Sequence, residues 1–312
     1  MRINKLYLSL LVLALLAPLV LYPVFLMKVL CYGLFACAFN LVLGYGGLLS
    51  LGHAAFLGTG AYTTGYLATR VGLTPELAIL AGTAAAAALG ALFGKLSVKR
   101  GGIYFGMITL ALAQLVFFFY LQAPFTGGED GMQGIPRGEL FGLLSLEDNL
   151  TLYYFVLAVF LLGFWVIHRT VHSPFGQVMK AIRENEARAM SLGYNTDDFK
   201  WLLFTLSAAV AGLAGSTKAL VFQLASLNDA HWQMSGEVVL MTLLGGVGTI
   251  LGPLAGAGVI VTIQNQLSGG ELGNYIHMIM GAIFVICVLA FRSGIVGEIQ
   301  KLAGRGFSRQ GR

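Results

Sequence analysis

The side chains that could perform chemistry in this sequence form no recognised catalytic or metal-binding motif. Gly94-Lys95 resembles the end of a phosphate-binding loop, but Leu89 and Leu96 stand where that loop requires a glycine and a serine or threonine. No HExxH, CxxC or GxSxG motif occurs, and the five histidines are scattered. We therefore predict a protein that is not an enzyme, with no catalytic residues, no metal site and no cofactor of its own.

Carboxylates are scarce within the apolar stretches of the sequence. Glu237 is the one carboxylate that we predict within a membrane span. Ion-coupled transporters and pumps usually place acidic or basic groups at such depths. The scarcity predicts that the energy for any transport comes from elsewhere.

Other polar side chains in the apolar stretches could line a translocation path, because polar groups at lipid depth usually face the protein interior. Each of them could instead form an ordinary hydrogen bond between helices. The candidates for the path are Ser50, His53, Thr59, Thr63, Thr109, Gln114 and Glu237.

A charged segment at 168–200 has the pattern of a helix that docks on a partner protein. Ser173 can cap a helix that starts at Pro174, and Gly193 can end it. Apolar residues recur between these ends at helical spacing. They are Phe175, Val178, Met179, Ile182, Ala189 and Met190. Such a helix could lie in a groove on a partner, or it could rest passively on the membrane surface.

The elements that must position these residues are membrane-spanning helices. Of the 312 residues, 57% are hydrophobic and 11% are charged, and the mean hydropathy is +0.80. Soluble domains carry about 25% charged residues, so a soluble fold could not bury this apolar surface. The sequence predicts an all-α, polytopic membrane protein with about ten spans or half-helices of up to roughly 20 residues. They are 6–27, 29–45, 48–69, 76–94, 103–121, 151–167, 200–220, 236–248, 252–267 and 275–291.

The whole chain, 1–312, is predicted to form a single transmembrane domain. Its first apolar run, 6–24, resembles a signal peptide. The length of that run and the lack of a clear cleavage site favour a retained first span.

Basic residues predict the orientation, because cytoplasmic loops of membrane proteins carry an excess of lysine and arginine. If the N-terminus is cytoplasmic, 15 of the 19 basic residues fall on the cytoplasmic side. The other four are Lys28, Arg70, Arg137 and Lys218. Both termini are therefore predicted to be cytoplasmic, with a tail at 292–312 and an external loop at 122–149. The basic residues flank spans, so the net charge of +5 gives no reason to expect nucleic acid binding.

Two glycine-rich stretches predict an inverted repeat. The stretches 46–58 and 245–256 share the order Gly-Gly, Leu-Gly and Gly. Under the predicted topology, the units 29–121 and 200–291 enter the membrane from opposite sides. The third and eighth spans, broken by glycine, would then be interrupted or re-entrant helices of the kind that often meet at a substrate path. Close helix packing would also enrich glycine.

Short sequence stretches spread along nearly the whole chain form a recognisable set. The longest are GYGGLLSLGHAAF at 44–56, AIRENEA at 181–187 and LGGVGTILGP at 244–253. Others lie at 39–41, 60–62, 126–128, 134–136, 173–176, 192–193, 206–209 and 291–294. Together they resemble the M-type permease subunit of branched-chain amino acid ABC transporters.

The resemblance implies one subunit of a heteromeric, ATP-driven importer in the bacterial inner membrane that works by alternating access. The partners would be a second permease subunit, two cytoplasmic ATPase subunits that bind the ATP, and a periplasmic substrate-binding protein. The loop at 122–149 would then be periplasmic. The substrates would be branched-chain amino acids. Alternatives are urea, short amides or sugars in the same importer class, or an ion-coupled secondary transporter.

The resemblance also implies that 168–200 is a coupling loop whose helix inserts into a groove of an ATPase. The motif here is only similar to the signature of such permeases, because Arg188 follows Glu186-Ala187 and Gly193 lies seven residues after Glu186. The candidate ATPase-coupling residues are Ile182, Arg183, Glu184, Glu186, Ala187, Arg188 and Gly193.

Overall fold

The computed structural model describes residues 5–140, 142, 144–267, 278–283, 285 and 294–297. Within these ranges the chain is predominantly helical, with four strands of two residues each. The helices are α1 (Lys5–Leu16), α2 (Pro23–Asn40), α3 (Ala54–Tyr66), α4 (Pro75–Ser97), α5 (Ile103–Gln122), α6 (Asn149–His172), α7 (Pro174–Glu184), α8 (Glu186–Ser191), α9 (Thr196–Phe222), α10 (Trp232–Gly245) and α11 (Gly252–Leu267). The strands are β1 (Met132–Gln133), β2 (Glu139–Leu140), β3 (Leu144–Ser145) and β4 (Leu224–Ala225).

Local sequence signals set where several helices begin. Proline lies in the first turn of α2, α4 and α7, where its missing N–H is not needed. Asp148 caps α6 by accepting a hydrogen bond from the Thr151 N–H. That hydrogen bond lowers the pKa of the Asp148 carboxyl, because it favours the charged form.

Five helices in the described part of the chain are long and apolar enough to cross a membrane. They are α2 together with the π turn Leu41–Tyr45, and α4, α5, α6 and α9. These helices correspond to the second, fourth, fifth, sixth and seventh predicted spans, with ends that differ by a few residues. An all-α membrane protein is the fold class that the sequence predicted.

The first predicted span, 6–27, is wrong. Helix α1 and a 3-10 turn end at Leu19, the chain turns over 20–22, and α2 begins at Pro23. Apolar residues continue through this turn, so hydropathy could not mark it, and Pro23 is the local signal for the new helix. The tenth predicted span and the tail at 292–312 lie mostly outside the described residues.

Non-helical backbone separates two pairs of helices. The breaks lie where the third predicted span begins and where the eighth ends, and not in the middle of either span. The first interrupted segment, 46–53, separates the π turn after α2 from α3, and the second, 246–251, separates α10 from α11. Gly47 (φ 68°) and Gly246 (φ 120°) adopt left-handed conformations that favour glycine. The two stretches that share a glycine pattern therefore also share a helix–break–helix arrangement, while the inverted repeat remains a prediction.

Small residues allow the central helices to approach closely. Helix α9 packs along α3 and α4, and α2 packs against α6, α9 and α11. A Cβ atom on Gly60 of α3 would lie 2.8 Å from Gly212 Cα of α9. Such backbone contact between helices is typical of membrane proteins. The resulting core surrounds α3 and the end of the first interrupted segment, where Ser50 and His53 are fully buried.

The two ends of the helix bundle differ. We call the end that holds α7, α8 and the start of α9 the loop end, and the end that holds β1, β4 and the 3-10 turn Leu227–Ala230 the strand end. Lys95 Nζ lies 5.5 Å from the Trp201 ring centroid at the loop end. Arg137 donates a hydrogen bond to the Val221 carbonyl at the strand end. These two basic residues therefore lie at opposite ends, as the predicted topology requires.

The predicted external loop, 122–149, is folded onto the helices and is not an extended connector. Strand β1 pairs antiparallel with β4, which follows α9, and β2 pairs with β3. Ile135 is fully buried, and its N–H donates to the Gln223 carbonyl. This loop therefore stabilises the strand end.

Candidate functional site

Helix α7 is fixed to the bundle by its cap and by its buried face. The Ser173 hydroxyl oxygen accepts a hydrogen bond from the Gly176 N–H at 3.3 Å, as predicted for the N-cap. A Cβ atom on Gly176 would lie 2.7 Å from the Val171 carbonyl carbon of α6, so α7 folds back tightly on α6. Met179 and Ile182 are buried in the main core. A movement of α7 would therefore be transmitted to the bundle.

The single helix predicted between Pro174 and Gly193 is wrong, because the chain breaks at Asn185. Asn185 adopts extended dihedrals (φ −156°, ψ 96°) between α7 and α8. Its side-chain oxygen accepts a hydrogen bond from the Arg188 N–H at 3.0 Å, which caps α8. The predicted apolar face is therefore divided: Met179, Ile182 and Ala189 are buried within this chain, whereas Met190 is 54% exposed.

Glu186 joins α8 to the start of α9. It forms an ion pair with Lys200, and the Thr196 hydroxyl donates to its Oε1 at 3.0 Å. Partial burial by itself would raise the pKa of the Glu186 carboxyl, but the hydrogen bonds from Lys200 and Thr196 outweigh it and lower the pKa below its usual value. Glu186 therefore holds the loop together from within this chain.

Arg183 points from α7 toward the first interrupted segment. Its guanidinium donates a hydrogen bond to the Gly44 carbonyl. Its aliphatic stem passes over Gly47, where an added Cβ would lie 3.0 Å from Arg183 Cγ. One turn earlier, Lys180 Nζ lies 5.7 Å from the Tyr45 ring centroid. Two basic side chains of α7 thus contact the end of the α2 unit.

The other coupling candidates divide into buried and exposed residues. Ile182 is buried within this chain, whereas Glu184, Ala187 and Arg188 are exposed, as is Arg183 itself. Gly193 follows α8 with a left-handed φ of 90°, which suits a glycine helix stop. Leu192 beside it is 72% exposed. The surface that a partner could reach therefore combines charged and apolar side chains of α8 with Glu184.

Three path candidates lie around the first interrupted segment and are fully buried: Ser50, His53 and Thr109. His53 Nε2 lies 2.9 Å from Ser207 Oγ, and the Ser207 hydroxyl donates to the Ala38 carbonyl. The Thr109 hydroxyl oxygen accepts from the Leu51 N–H at 3.2 Å. For His53 and Thr109 these hydrogen bonds match the alternative interpretation, an ordinary bond between elements, whereas Ser50 Oγ is buried with no hydrogen-bond partner among the described residues.

The remaining path candidates lie elsewhere. The Thr59 hydroxyl accepts a hydrogen bond from the Tyr120 hydroxyl at 2.9 Å and donates to the backbone of its own helix. Glu237 on α10 accepts from Gln264 of α11 at 3.0 Å. Thr63 and Gln114 are half-buried. The seven candidates therefore do not converge on one point, and their role in a path remains a prediction.

The sequence interpretation missed two sets of functional candidates. Asn40 in α2 is buried, accepts from the Gly248 N–H and donates to the Thr249 carbonyl, both at 2.9 Å. Lys218 forms a buried ion pair with Asp229 of the 3-10 turn after β4. Glu237 is therefore not the only carboxylate near the apolar core. Lys218 within the predicted span 200–220 was the available signal, because a lysine at that depth usually has an acidic partner nearby.

The family of this chain follows from its similarity to a known family of membrane proteins. Residues 23–288 match the model of the family described as branched-chain amino acid transport system / permease component. This chain belongs to that family. It is a multi-pass membrane permease, and the resemblance seen in the sequence is confirmed.

Curated relatives of this permease include two branched-chain amino acid permeases and a sugar permease. The high-affinity branched-chain amino acid transport system permease protein LivM of Escherichia coli K12 is 28% identical over 288 residues, or 85% of this chain and 67% of that protein. The ribose import permease protein RbsC of the same strain is 27% identical over 72% of each chain. The permease protein LivH is 30% identical over 42% of this chain and 43% of its own length. No solved structure matches this chain.

Proposed function

We propose that this permease is one transmembrane subunit of an ATP-driven importer that moves branched-chain amino acids from a periplasmic binding protein to the cytoplasm by alternating access. The importer would lie in the bacterial inner membrane. A second permease subunit would complete the path, and two ATPase subunits would bind and hydrolyse the ATP. This chain would carry out no covalent chemistry itself.

The structure of the loop end is the main observation that supports this proposal. Helices α7 and α8 are fixed between two membrane-crossing helices by the caps at Ser173 and Asn185 and by the Glu186–Lys200 pair. Glu184, Arg188 and Leu192 nevertheless remain exposed. A short helix pair that is held between two membrane-crossing helices and exposed on one side suits the groove-binding mode of helical docking segments. In this proposal the loop end is cytoplasmic, and so are both termini.

The relatives support the substrate class. The LivM and LivH proteins are named as branched-chain amino acid permeases, and the LivM similarity extends over 85% of this chain. The strand end, with the folded loop 122–149, would face the periplasmic binding protein. That protein would set most of the substrate choice, since it delivers the substrate.

A sugar permease is the second candidate, because the ribose import permease protein matches 72% of this chain. Urea and short amides belong to the same importer class and would be tested in the same way. Equilibrium binding of labelled leucine, ribose and urea to the periplasmic binding protein that co-purifies with this permease would separate these substrates. Tight binding of ribose with no binding of leucine would contradict the amino acid assignment.

Reconstitution would test the docking and the energy source together. The permease would be co-expressed with the second permease and ATPase subunits of its own transport system, and ATP-dependent leucine uptake measured in proteoliposomes. We expect Arg188→Glu combined with Leu192→Asp to abolish co-purification of the ATPases and uptake. Arg169→Glu is the control, because Arg169 is an exposed arginine at the end of α6. Uptake by the purified chain alone, without ATPases, would instead indicate an ion-coupled secondary transporter.

A further inference from the structure

The two interrupted segments meet next to the loop helix α7. Asn40, at the end of α2, holds the second interrupted segment through its hydrogen bonds to Gly248 and Thr249. Gly44, one turn further on, approaches the same segment so closely that an added Cβ would lie 2.7 Å from the Gly248 nitrogen. The backbone that follows α2 and the tip of the α10–α11 hairpin therefore touch directly.

Arg183 lies at this junction. Its guanidinium donates to the Gly44 carbonyl, and its stem covers Gly47 in the first interrupted segment. An added Cβ on Gly248 would lie 3.6 Å from Arg183 Nη1 and 3.5 Å from the Gly44 oxygen. Arg183 thus bonds the backbone that follows α2 and lies beside Gly248 of the second interrupted segment, while Met179 and Ile182 anchor α7 in the core.

The chemistry of the junction explains why an arginine is suited to this position. The guanidinium is planar and offers five N–H donors in a fixed fork, so it can bond one carbonyl and still contact a second strand of backbone. Gly44 and Gly248 leave no side chain between the two segments, and Gly47 leaves room for the arginine stem. A lysine would present a compact ammonium and lose the fork.

We propose that Arg183 is a positioning residue that ties α7 to both interrupted segments, so that a displacement of the loop helix moves the two segments together. Arg183 is exposed as a residue, but its guanidinium bonds the Gly44 carbonyl of this chain and is not a docking contact for an ATPase. This inference deepens the proposed function, on which its transport consequences rest. Its structural part, the tie between the segments, stands on the contacts alone.

Hydrogen–deuterium exchange on the purified permease would test the tie. In Arg183→Gln, we expect exchange of the amides in 44–52 and 246–251 to rise about tenfold, because the local opening becomes easier. The segment 132–140 at the strand end should be unchanged. Arg169→Gln removes an exposed arginine of α6 and is the matched control. Arg183→Lys keeps the charge but loses the fork, and is the second variant if Arg183→Gln does not fold.

The reconstituted importer supplies the second readout. We expect Arg183→Gln to retain wild-type amounts of bound ATPase while ATP-dependent leucine uptake falls about tenfold, because displacement of α7 no longer reaches both segments. Unchanged exchange in both segments would overturn the proposal. Lost ATPase binding with unchanged exchange would place Arg183 on the docking surface and overturn it as well. Absence of uptake by the wild-type complex would contradict the proposed function, whereas the exchange data would still decide the tie.

Discussion

Helix α9 carries a lysine–carboxylate pair at each of its ends, in different surroundings. At the loop end, Lys200 pairs with Glu186, and the two side chains are 7% and 41% exposed. At the strand end, Lys218 pairs with Asp229, and the two side chains are 11% and 3% exposed. The Tyr32 ring lies 5.4 Å from Lys218 Nζ. Water can solvate Glu186 if its pair opens, but it has little access to Asp229.

The difference in burial between the two pairs predicts that the two ends of α9 differ in stability. A pair with one exposed carboxylate contributes less than a fully buried pair, since water competes for the exposed charge. A buried pair is costly to break, because the remaining charge has no solvent. We infer that the strand end of α9 is fixed more strongly than its loop end.

The largest effect is expected at the buried pair. Lys218→Met leaves the Asp229 carboxylate buried without its partner and should lower the free energy of unfolding by about 3–5 kcal/mol. Denaturant unfolding of the permease in detergent micelles, followed by tryptophan fluorescence, would measure the loss.

The double variant Lys218→Met/Asp229→Leu is the control for this prediction. It removes both charges, so most of the lost stability should return. A loss below about 1 kcal/mol in the single variant would mean that the strand end is no more fixed than an exposed pair.

A smaller effect is expected where the loop end of α9 meets α4. The Trp201 indole N–H donates to the Ala91 carbonyl at 2.8 Å. Trp201→Phe should therefore lower the free energy of unfolding by about 1 kcal/mol. The matched control is Trp165→Phe, since Trp165 is exposed on α6. Equal losses of unfolding free energy in both variants would mean that this hydrogen bond does not stabilise the loop end.

The Glu186–Lys200 pair should contribute less to stability than the Trp201 hydrogen bond. Glu186→Gln removes the charge that meets Lys200, and we expect it to lower the midpoint of thermal unfolding by an amount equivalent to about 0.5 kcal/mol. Glu184→Gln, on the exposed side of the break at Asn185, should change nothing measurable. A loss as large as that of Lys218→Met would contradict the inference that the strand end of α9 is fixed more strongly than its loop end.

The smallest effect concerns pH. The pKa of Glu186 is lowered in the folded protein, so its pair stabilises the fold above the usual pKa of a glutamate. That stabilisation is lost as the pH falls through the lowered pKa. The difference in unfolding midpoint between wild type and Glu186→Gln should therefore shrink toward zero as the pH is lowered from 7 to about 3. A difference that grows on acidification would contradict the assignment.

The loop shows where interpretation of the sequence succeeds and fails. Ser173-Pro174 marks the start of α7, because a cap acts through neighbouring residues only. Asn185 was overlooked as a break, since an asparagine is tolerated within helices and becomes a cap only when the chain changes direction. The inward direction of Arg183 depends on Gly44 and Gly47, more than 130 residues earlier. No local pattern contains that contact.

The sequence by itself determined that this chain is an apolar, helical membrane permease and where most of its long helices lie, because hydropathy, caps and prolines act over one or two turns. It also marked both helix breaks by their glycines. Only the tertiary structure decided which charges pair and which loop residues remain exposed. It also decided that Asn40 and Arg183 both lie where the two interrupted segments come together. Those contacts join residues that are far apart in the chain, and helix packing alone brings them together.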